Sequence, residues 1–197
     1  MNILTDDRLL RLSAAGEEQA FNALYDRHQG SVYRFVLHST GGDELLAEEI
    51  TQEVFLLLIR RPQKYDESRG SLPAYLLGTA RNLLRQYWKR RRVNVALPDD
   101  DGDAVESSVV SDEDVLGDLT SEETLAALHQ AILALPLRYR EVVILCHFEG
   151  MEYAEAASVL GCPAGTVCSR LHRARALLFE KLKGHGTCLS ATRTKVS

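Results

Sequence analysis

Long apolar runs and an amino-terminal signal segment are both missing from this 197-residue sequence. The uninterrupted apolar stretches, such as VFLLLI and VVILC, are far shorter than the roughly 18 residues that a bilayer-spanning helix needs. The opening MNILTDDRLL carries two acids and no apolar run of signal-peptide length. We therefore expect a soluble, cytoplasmic protein with no membrane insertion.

The cysteines lack the CxxC spacing that is typical of metal and redox sites. The sequence has four of them: Cys146, Cys162, Cys168 and Cys188. In a cytosolic chain, cysteines without such spacing are expected to be reduced thiols. A zinc site that joins them to His147 or His185 is the alternative. We predict no metal and no cofactor.

Lysine and arginine are absent from residues 93–123, which carry 11 Asp and Glu. Residues 1–92 carry 14 basic side chains against 12 acidic ones, and residues 124–197 carry nine against five. The formal net charge of −5 therefore belongs to the acidic strip. It does not argue against nucleic-acid binding by the two mildly basic ends.

The acidic strip also lacks apolar periodicity, so residues 93–120 are predicted to be a flexible acidic linker. Fully extended, such a linker would reach about 95 Å. No segment alternates convincingly between apolar and polar residues, which predicts an all-α fold. We expect two small helical domains, 1–92 and 121–183, and a flexible tail at 184–197.

Helical periodicity and helix-ending residues divide the first domain. Apolar positions recur with a helical rhythm over 17–38, and Asp43 is a candidate cap for a helix that ends at Pro62. One face of that second helix is predicted to be Ile50, Val54, Leu57 and Leu58. Ser71 then caps a third long helix, with Pro73 in its first turn.

The third helix, predicted over 71–92, combines basic, amide and aromatic side chains. Its buried stripe is predicted to be Leu76, Ala80, Leu83 and Tyr87. Its polar side is predicted to carry Arg81, Asn82, Arg85, Gln86, Lys89 and Arg92. Cations along a phosphate path, amides for base edges and aromatic rings for stacking are what single-stranded nucleic acid requires. Alternatively, Tyr87 and Trp88 are core residues and the arginines only aid solubility.

The stretch YAEAASVLGCPAGTVCSRLHRAR predicts a short helix, a glycine-containing turn and a longer helix. This is the helix-turn-helix plan, whose second helix enters the DNA major groove. The buried stripe of the second helix is predicted to be Val167, Leu171, Ala174 and Leu178. Ser169, His172 and Arg173 fall opposite that stripe, where they could contact bases and phosphates. The alternative is a solvated basic face.

Together these segments resemble RNA polymerase sigma factors of the ECF (extracytoplasmic function) type. AEEITQEVFLLLIRRP is similar to the family's polymerase-binding helix, and KYDESRGSLPAYLLGTARNLLRQYWKRRR to its −10 reading and melting segment. ALPLRYREVVILCHFEGMEYAEAASVLGCPAGTVCSRLHRARALL is similar to its −35 reading domain. The resemblance implies sigma region 2 at 1–92, sigma region 4 at 121–183 and promoter-directed transcription initiation without catalysis by this chain.

The resemblance also implies roles for individual residues. The polymerase-binding residues would be Glu49, Gln52 and Glu53. The −10 residues would be Lys64, Tyr65, Asp66, Ser71, Tyr75, Arg81, Asn82 and Arg85. The −35 residues would be Thr166, Cys168, Ser169, His172 and Arg173. The implied partners are core RNA polymerase, duplex −35 DNA, single-stranded −10 DNA and an anti-sigma factor.

Three positions depart from the family pattern. Tyr75 stands where tryptophan is usual, Glu49 where aspartate is usual, and Cys168 where lysine or arginine is usual. The first two changes keep an aromatic ring and a carboxylate. The third removes a cation from the recognition helix, so the −35 preference of relatives does not transfer to this chain.

Two other functions compete with this interpretation. A DNA-binding regulator would use only the helix-turn-helix at 153–183 and would leave 47–92 unexplained. An enzyme would use Cys146 and His147 as a catalytic pair, but adjacent residues of a helix point about 100° apart and do not face each other.

Overall fold

A computed structural model describes residues 4–93 and 122–192, with side chains described over 4–91 and 125–183. Within these ranges every regular element is helical. The predicted linker lies outside the described residues apart from residue 93. The helices are α1 (Asp6–Ala14), α2 (Glu18–Thr40), α3 (Glu44–Arg60), α4 (Leu72–Val93), α5 (Glu122–Leu133), α6 (Leu137–Val143), α7 (Tyr153–Leu160) and α8 (Ala164–Thr192).

The helix ends follow from local chemistry. The Asp43 side chain accepts a hydrogen bond from the Leu46 backbone N–H at 3.0 Å and caps α3. Pro62 opens a 3₁₀ turn instead of continuing that helix. Ser71 Oγ accepts from the Ala74 N–H at 3.3 Å at the start of α4. Gly161 ends α7 in the left-handed conformation, at φ 64°.

Three details differ from the sequence prediction. The helix α1 was not predicted; its nine residues are short for a periodicity argument, and packing against α2 supports them. Residues 138–148, which helical periodicity and Gly150 predict to be one helix, are divided between α6 and a π-helical turn, Ile144–Phe148. The last helix continues through Thr192, into the predicted flexible tail, because glycine lowers helix stability without removing a hydrogen bond.

The buried stripes are largely as predicted, with shifts on two helices. On α8, Val167, Leu171 and Ala174 are buried and Leu178 is partly buried. On α4 the fully buried residues include Leu76, Leu77, Ala80 and Leu84. Leu83 and Tyr87, predicted to be buried, are only partly buried, because the buried side of α4 runs through Leu77, Ala80 and Leu84. On α3, Leu57 is likewise partly exposed.

The two groups of helices pack against each other. We call α1–α4 the amino-terminal module and α5–α8 the carboxy-terminal module. Helix α4 contacts α7, and α2 contacts α6. The buried apolar residues of both modules form one contiguous cluster. Over the described residues, the chain is therefore a closed two-module structure.

Candidate nucleic-acid interface

An open cavity of about 300 Å³ lies where the loop before α4 meets the first three turns of that helix. We call it the α4 pocket. Six of the residues predicted to read −10 DNA line it: Lys64, Tyr65, Asp66, Ser71, Tyr75 and Asn82. The remaining two, Arg81 and Arg85, do not line it. The structure thus gathers most of the predicted set into one concave site.

Two aromatic rings form one wall of the α4 pocket. Tyr65 and Tyr75 meet edge to face, with ring centroids 5.5 Å apart. The Tyr65 hydroxyl donates a hydrogen bond to Asp7 Oδ1 at 2.9 Å, so α1 holds the ring in place. Partial burial, followed by that carboxylate, raises the pKa of Tyr65 above its ordinary range and keeps the hydroxyl protonated. Asp7 lies on α1, so sequence reasoning missed it.

The loop between Tyr65 and Ser71 is held by its own hydrogen bonds. Asp66 Oδ1 accepts from Ser68 N at 3.0 Å and from Ser68 Oγ at 2.7 Å. These bonds lower the pKa of Asp66, whose side chain is exposed. Gly70 has φ 151° and ψ 176°, a conformation that is essentially restricted to glycine. The loop is therefore preformed next to the pocket.

The carboxy-terminal module supplies the opposite side of the α4 pocket. Ser158 and Val159 of α7 line the cavity. Ser71 Oγ donates a hydrogen bond to Glu155 Oε1 across the module boundary. Arg81, predicted to lie on an exposed basic stripe, is instead largely buried and pairs with Glu141 Oε1 at 2.9 Å. Contacts between modules leave no periodic signal, so sequence reasoning could not place Arg81.

The predicted −35 residues share the outward side of α8. Cys168, Ser169, His172 and Arg173 are exposed, whereas Thr166 is partly buried. Ser169 Oγ donates to the Thr166 backbone carbonyl at 3.1 Å, which holds the hydroxyl near the helix start. The turn before α8 is closed by the Cys162 N–H bonded to the Ala157 carbonyl at 3.1 Å. This geometry fits a helix-turn-helix.

The predicted polymerase-binding residues lie on α3. Glu49 and Gln52 are exposed, and Glu53 is partly buried. Three large apolar side chains that sequence reasoning missed lie on the same strip, at helical spacing: Leu45, Leu56 and Ile59. They are 80%, 41% and 47% exposed, respectively. We call this strip the α3 outer face. A mixed apolar and acidic surface of this kind is typical of a protein-binding site.

The alternative metal and catalytic sites gain no support from the geometry. Cys146 and His147 lie in the π-helical turn after α6. Burial raises the pKa of the Cys146 thiol and lowers the pKa of His147, the opposite of what an activated thiolate needs. In the described part of the chain, no group of three His, Cys, Asp or Glu side chains is placed to hold a metal ion.

Within residues 4–93 and 122–192, none of the helices combines the length and the apolar character that a membrane span requires.

Comparison with protein families identifies both modules. Residues 24–93 match the family model of sigma-70 region 2, and residues 125–178 match that of sigma-70 region 4. The fold is therefore that of a two-region sigma-70 type factor.

Individual relatives narrow this class. The chain is 32% identical over 178 residues to the ECF RNA polymerase sigma factor SigE of Mycolicibacterium smegmatis, covering 88% of this chain and 67% of that protein. It is 30% identical to the RNA polymerase sigma-H factor of Pseudomonas aeruginosa, covering 90% and 94%. The sigma factor RpoE from Bartonella quintana, solved in complex with the anti-sigma factor NepR, has 26% identity and a TM-score of 0.63, covering 83% and 96%. This chain belongs to the ECF RNA polymerase sigma factors.

Proposed function

We propose that this chain binds core RNA polymerase through α3, recognises −35 DNA through α8 and captures unstacked −10 bases in the α4 pocket. The observation that carries the proposal is the convergence of six predicted −10 residues on one preformed cavity. The family supports the overall role, since the chain is an ECF sigma factor. Within that role the chain acts without catalysis, and polymerase performs the nucleotide chemistry.

The α4 pocket is suited to a base that has left the duplex stack. Removing a base from the stack costs a few kcal/mol. Stacking on an aromatic side chain returns roughly 1–3 kcal/mol per base, and Tyr65 and Tyr75 offer such a wall. Asn82 presents an amide that can bond a base edge, and Lys64 offers a cation for phosphate. Strand opening would then be driven by capture of bases as they unpair.

The outer side of α8 is suited to duplex DNA. Arg173 can grip guanine with two hydrogen bonds, and Ser169 and His172 can contact bases or the backbone. Cys168, where relatives carry a cation, contributes no phosphate contact. We therefore infer a weaker or altered −35 preference for this chain than for its relatives.

Arg173→Ala is expected to cost roughly 1–3 kcal/mol at one −35 base pair and to relax selectivity there. The side chain is exposed on the outward side of α8, so the change should leave the fold intact. In-vitro transcription from templates with single substitutions across the −35 element measures the effect. Unchanged preference at every position would contradict the assignment of α8 as the −35 reader.

Asn82→Ala is expected to slow strand opening more than it weakens initial binding. The amide is exposed and lines the α4 pocket, where it can bond only a base that has already left the duplex. Permanganate footprinting against time reports opening, and filter binding at low temperature reports the closed complex. Gln86→Ala, an exposed amide one turn further along α4, is the matched control. Equal opening rates for the two variants would contradict the pocket assignment.

An anti-sigma factor is a further proposed partner. The support is that the RpoE relative was solved in complex with the anti-sigma factor NepR. We also propose the boundaries 1–92, 93–120, 121–183 and 184–197 for region 2, linker, region 4 and tail.

The competing function is a regulator that uses only the helix-turn-helix. It would give no role to the α3 outer face or the α4 pocket. Co-purification distinguishes the two functions: the tagged chain should retain core polymerase on a column, and a regulator of this kind would not.

A further inference from the structure

The side chain of Tyr65 borders two open spaces. On one side it forms part of the wall of the α4 pocket. A second open cavity, of about 510 Å³, lies between α1 and the loop that precedes α4. We call it the α1 cavity, and Tyr65 and Asp66 line both cavities. The Tyr65 ring is therefore not enclosed by packing, so specific contacts must fix its position.

Two contacts fix the position of that ring. Its edge meets Tyr75 within the α4 pocket, with ring centroids 5.5 Å apart. Its hydroxyl donates a partly buried hydrogen bond to Asp7 Oδ1 at 2.9 Å. Hydrogen bonds to a carboxylate are among the stronger ones in proteins. Asp7 is therefore the contact that ties the wall of the α4 pocket to a separate helix.

The helix that carries Asp7 is anchored to α2 without it. Asp6 Oδ2 accepts a hydrogen bond from His28 Nε2 at 2.9 Å, and Asp6 also pairs with Arg27. Two leucines of α1 are buried in the apolar core. Because none of these contacts involves Asp7, a substitution at that position should leave α1 in place and remove only the link to the loop.

A second link joins α1 to the same loop. Arg11 Nη2 donates to both carboxylate oxygens of Glu67, at 3.1 and 3.2 Å. The two side chains are 74% and 56% exposed, and exposed ion pairs contribute little to stability. This pair offers an internal comparison, since it connects the same helix and loop but bonds Glu67 instead of Tyr65.

We propose that Asp7 is a positioning residue for capture of the −10 base and that it acts through Tyr65. The inference rests on the proposed function of the α4 pocket and adds a residue that lies before the match to region 2, which begins at residue 24. With its hydroxyl held by α1, the Tyr65 ring is a fixed wall on which an unstacked base can stack. Without that bond the ring can turn into the α1 cavity, which leaves the base only the Tyr75 ring.

Preorganisation is the physical basis of this role. A ring that is already in place loses little conformational freedom when the base arrives, so more of the stacking free energy is available to keep the base out of the duplex. A mobile ring has to be ordered at the moment of capture. That cost falls on strand opening and not on the closed complex, because no base has left the duplex there.

The test compares Asp7→Ala with Asp7→Asn, each in the full chain bound to core polymerase. Asparagine removes the charge but keeps an oxygen that can accept from the Tyr65 hydroxyl, whereas alanine removes both. Arg11→Ala is the matched control, because it breaks the other side-chain link between α1 and the loop. Fluorescence of 2-aminopurine at the −10 element follows opening, and filter binding at low temperature reports the closed complex. Thermal unfolding reports the fold.

We expect Asp7→Ala to lower the rate of opening about threefold to tenfold, the range of one net hydrogen bond, with the affinity of the closed complex unchanged. Asp7→Asn should retain most of the rate, and Arg11→Ala should match the wild type. Equal rates for Asp7→Ala and Asp7→Asn would overturn the proposal. So would an equal loss with Arg11→Ala, since α1 would then hold the loop as a whole and not Tyr65.

A double-mutant cycle checks that Asp7 acts through Tyr65. Tyr65→Phe keeps the ring and removes the hydroxyl, so Asp7→Ala should have no further effect on opening in that background. A further loss of the same size would contradict the proposal. Failure of the proposed function has a separate signature: the wild-type chain with core polymerase would open no promoter, which overturns both inferences, whereas the Asp7 results above overturn only the second.

Discussion

Leu56→Asp is expected to weaken binding of the chain to core RNA polymerase by about 30-fold or more, with the helical fold unchanged. Leu56 is 41% exposed on the α3 outer face, between Gln52 and Ile59. Large apolar side chains at the centre of an interface carry most of its binding free energy. A carboxylate at that position would be desolvated on docking without a designed partner, which adds to the loss.

The conservative change Leu56→Met serves as the control, because it keeps an apolar side chain of similar volume at the same site. Competition of each variant against the wild type for core polymerase, read by native gel or anisotropy, gives the affinity ratio. Thermal unfolding of the variants confirms that the fold is retained. Equal affinities for Leu56→Asp and Leu56→Met would show that polymerase does not bind the α3 outer face.

Tyr75→Ala is expected to reduce the population of open promoter complexes about tenfold or more. The ring forms one wall of the α4 pocket and meets Tyr65 at 5.5 Å. Its loss removes stacking worth roughly 1–3 kcal/mol for one base and frees the Tyr65 ring to move. Initial binding through α8 should change little, because Tyr75 lies far from the −35 face in sequence and on a different module.

Tyr75→Trp is the matched control for this prediction. It restores the residue that is usual in the family and keeps a flat ring on the pocket wall. Fluorescence of 2-aminopurine placed at the −10 element follows opening directly, and thermal unfolding checks for lost packing. If Tyr75→Ala opened the promoter as well as Tyr75→Trp, the aromatic wall would have no part in base capture.

The sequence was sufficient for features that depend on neighbouring residues. The cap at Asp43, the stop at Pro62 and the short helix that ends at the glycine-containing turn each follow from local backbone chemistry, and the structure confirms them. The loop before α4 and the first turns of that helix are close in sequence, so their residues lie close together in space. Six predicted −10 residues share one pocket for this reason.

Features that depend on distant contacts were not predictable. Asp7 reaches Tyr65 across 58 positions, and Glu141 reaches Arg81 across 60. No periodicity records such pairs, and the acidic strip between the modules favoured the picture of two separate bodies. The exposure of the leucines on α3 was not predictable for another reason. The helix has apolar residues on several sides, so the pattern alone did not show which side faces outward.

The arginines of α4 show the limit of an argument from net charge. A net basic count predicts that each end can approach nucleic acid, but it does not show which cations are available. In the closed form Arg81 is committed to Glu141, whereas Arg85, one turn later, is exposed. Charge counting therefore gives the class of ligand, and the structure gives the state in which that ligand can bind.

Run-off transcription with purified core polymerase and the full chain, on a library of promoter fragments, tests the central claim most directly. We expect defined start sites that depend on the chain, are lost when either the −10 or the −35 element is replaced, and fade with Leu56→Asp. Transcription from no fragment would contradict the account. So would start-site selection that survives replacement of the −10 element, because the α4 pocket would then have no role in promoter choice.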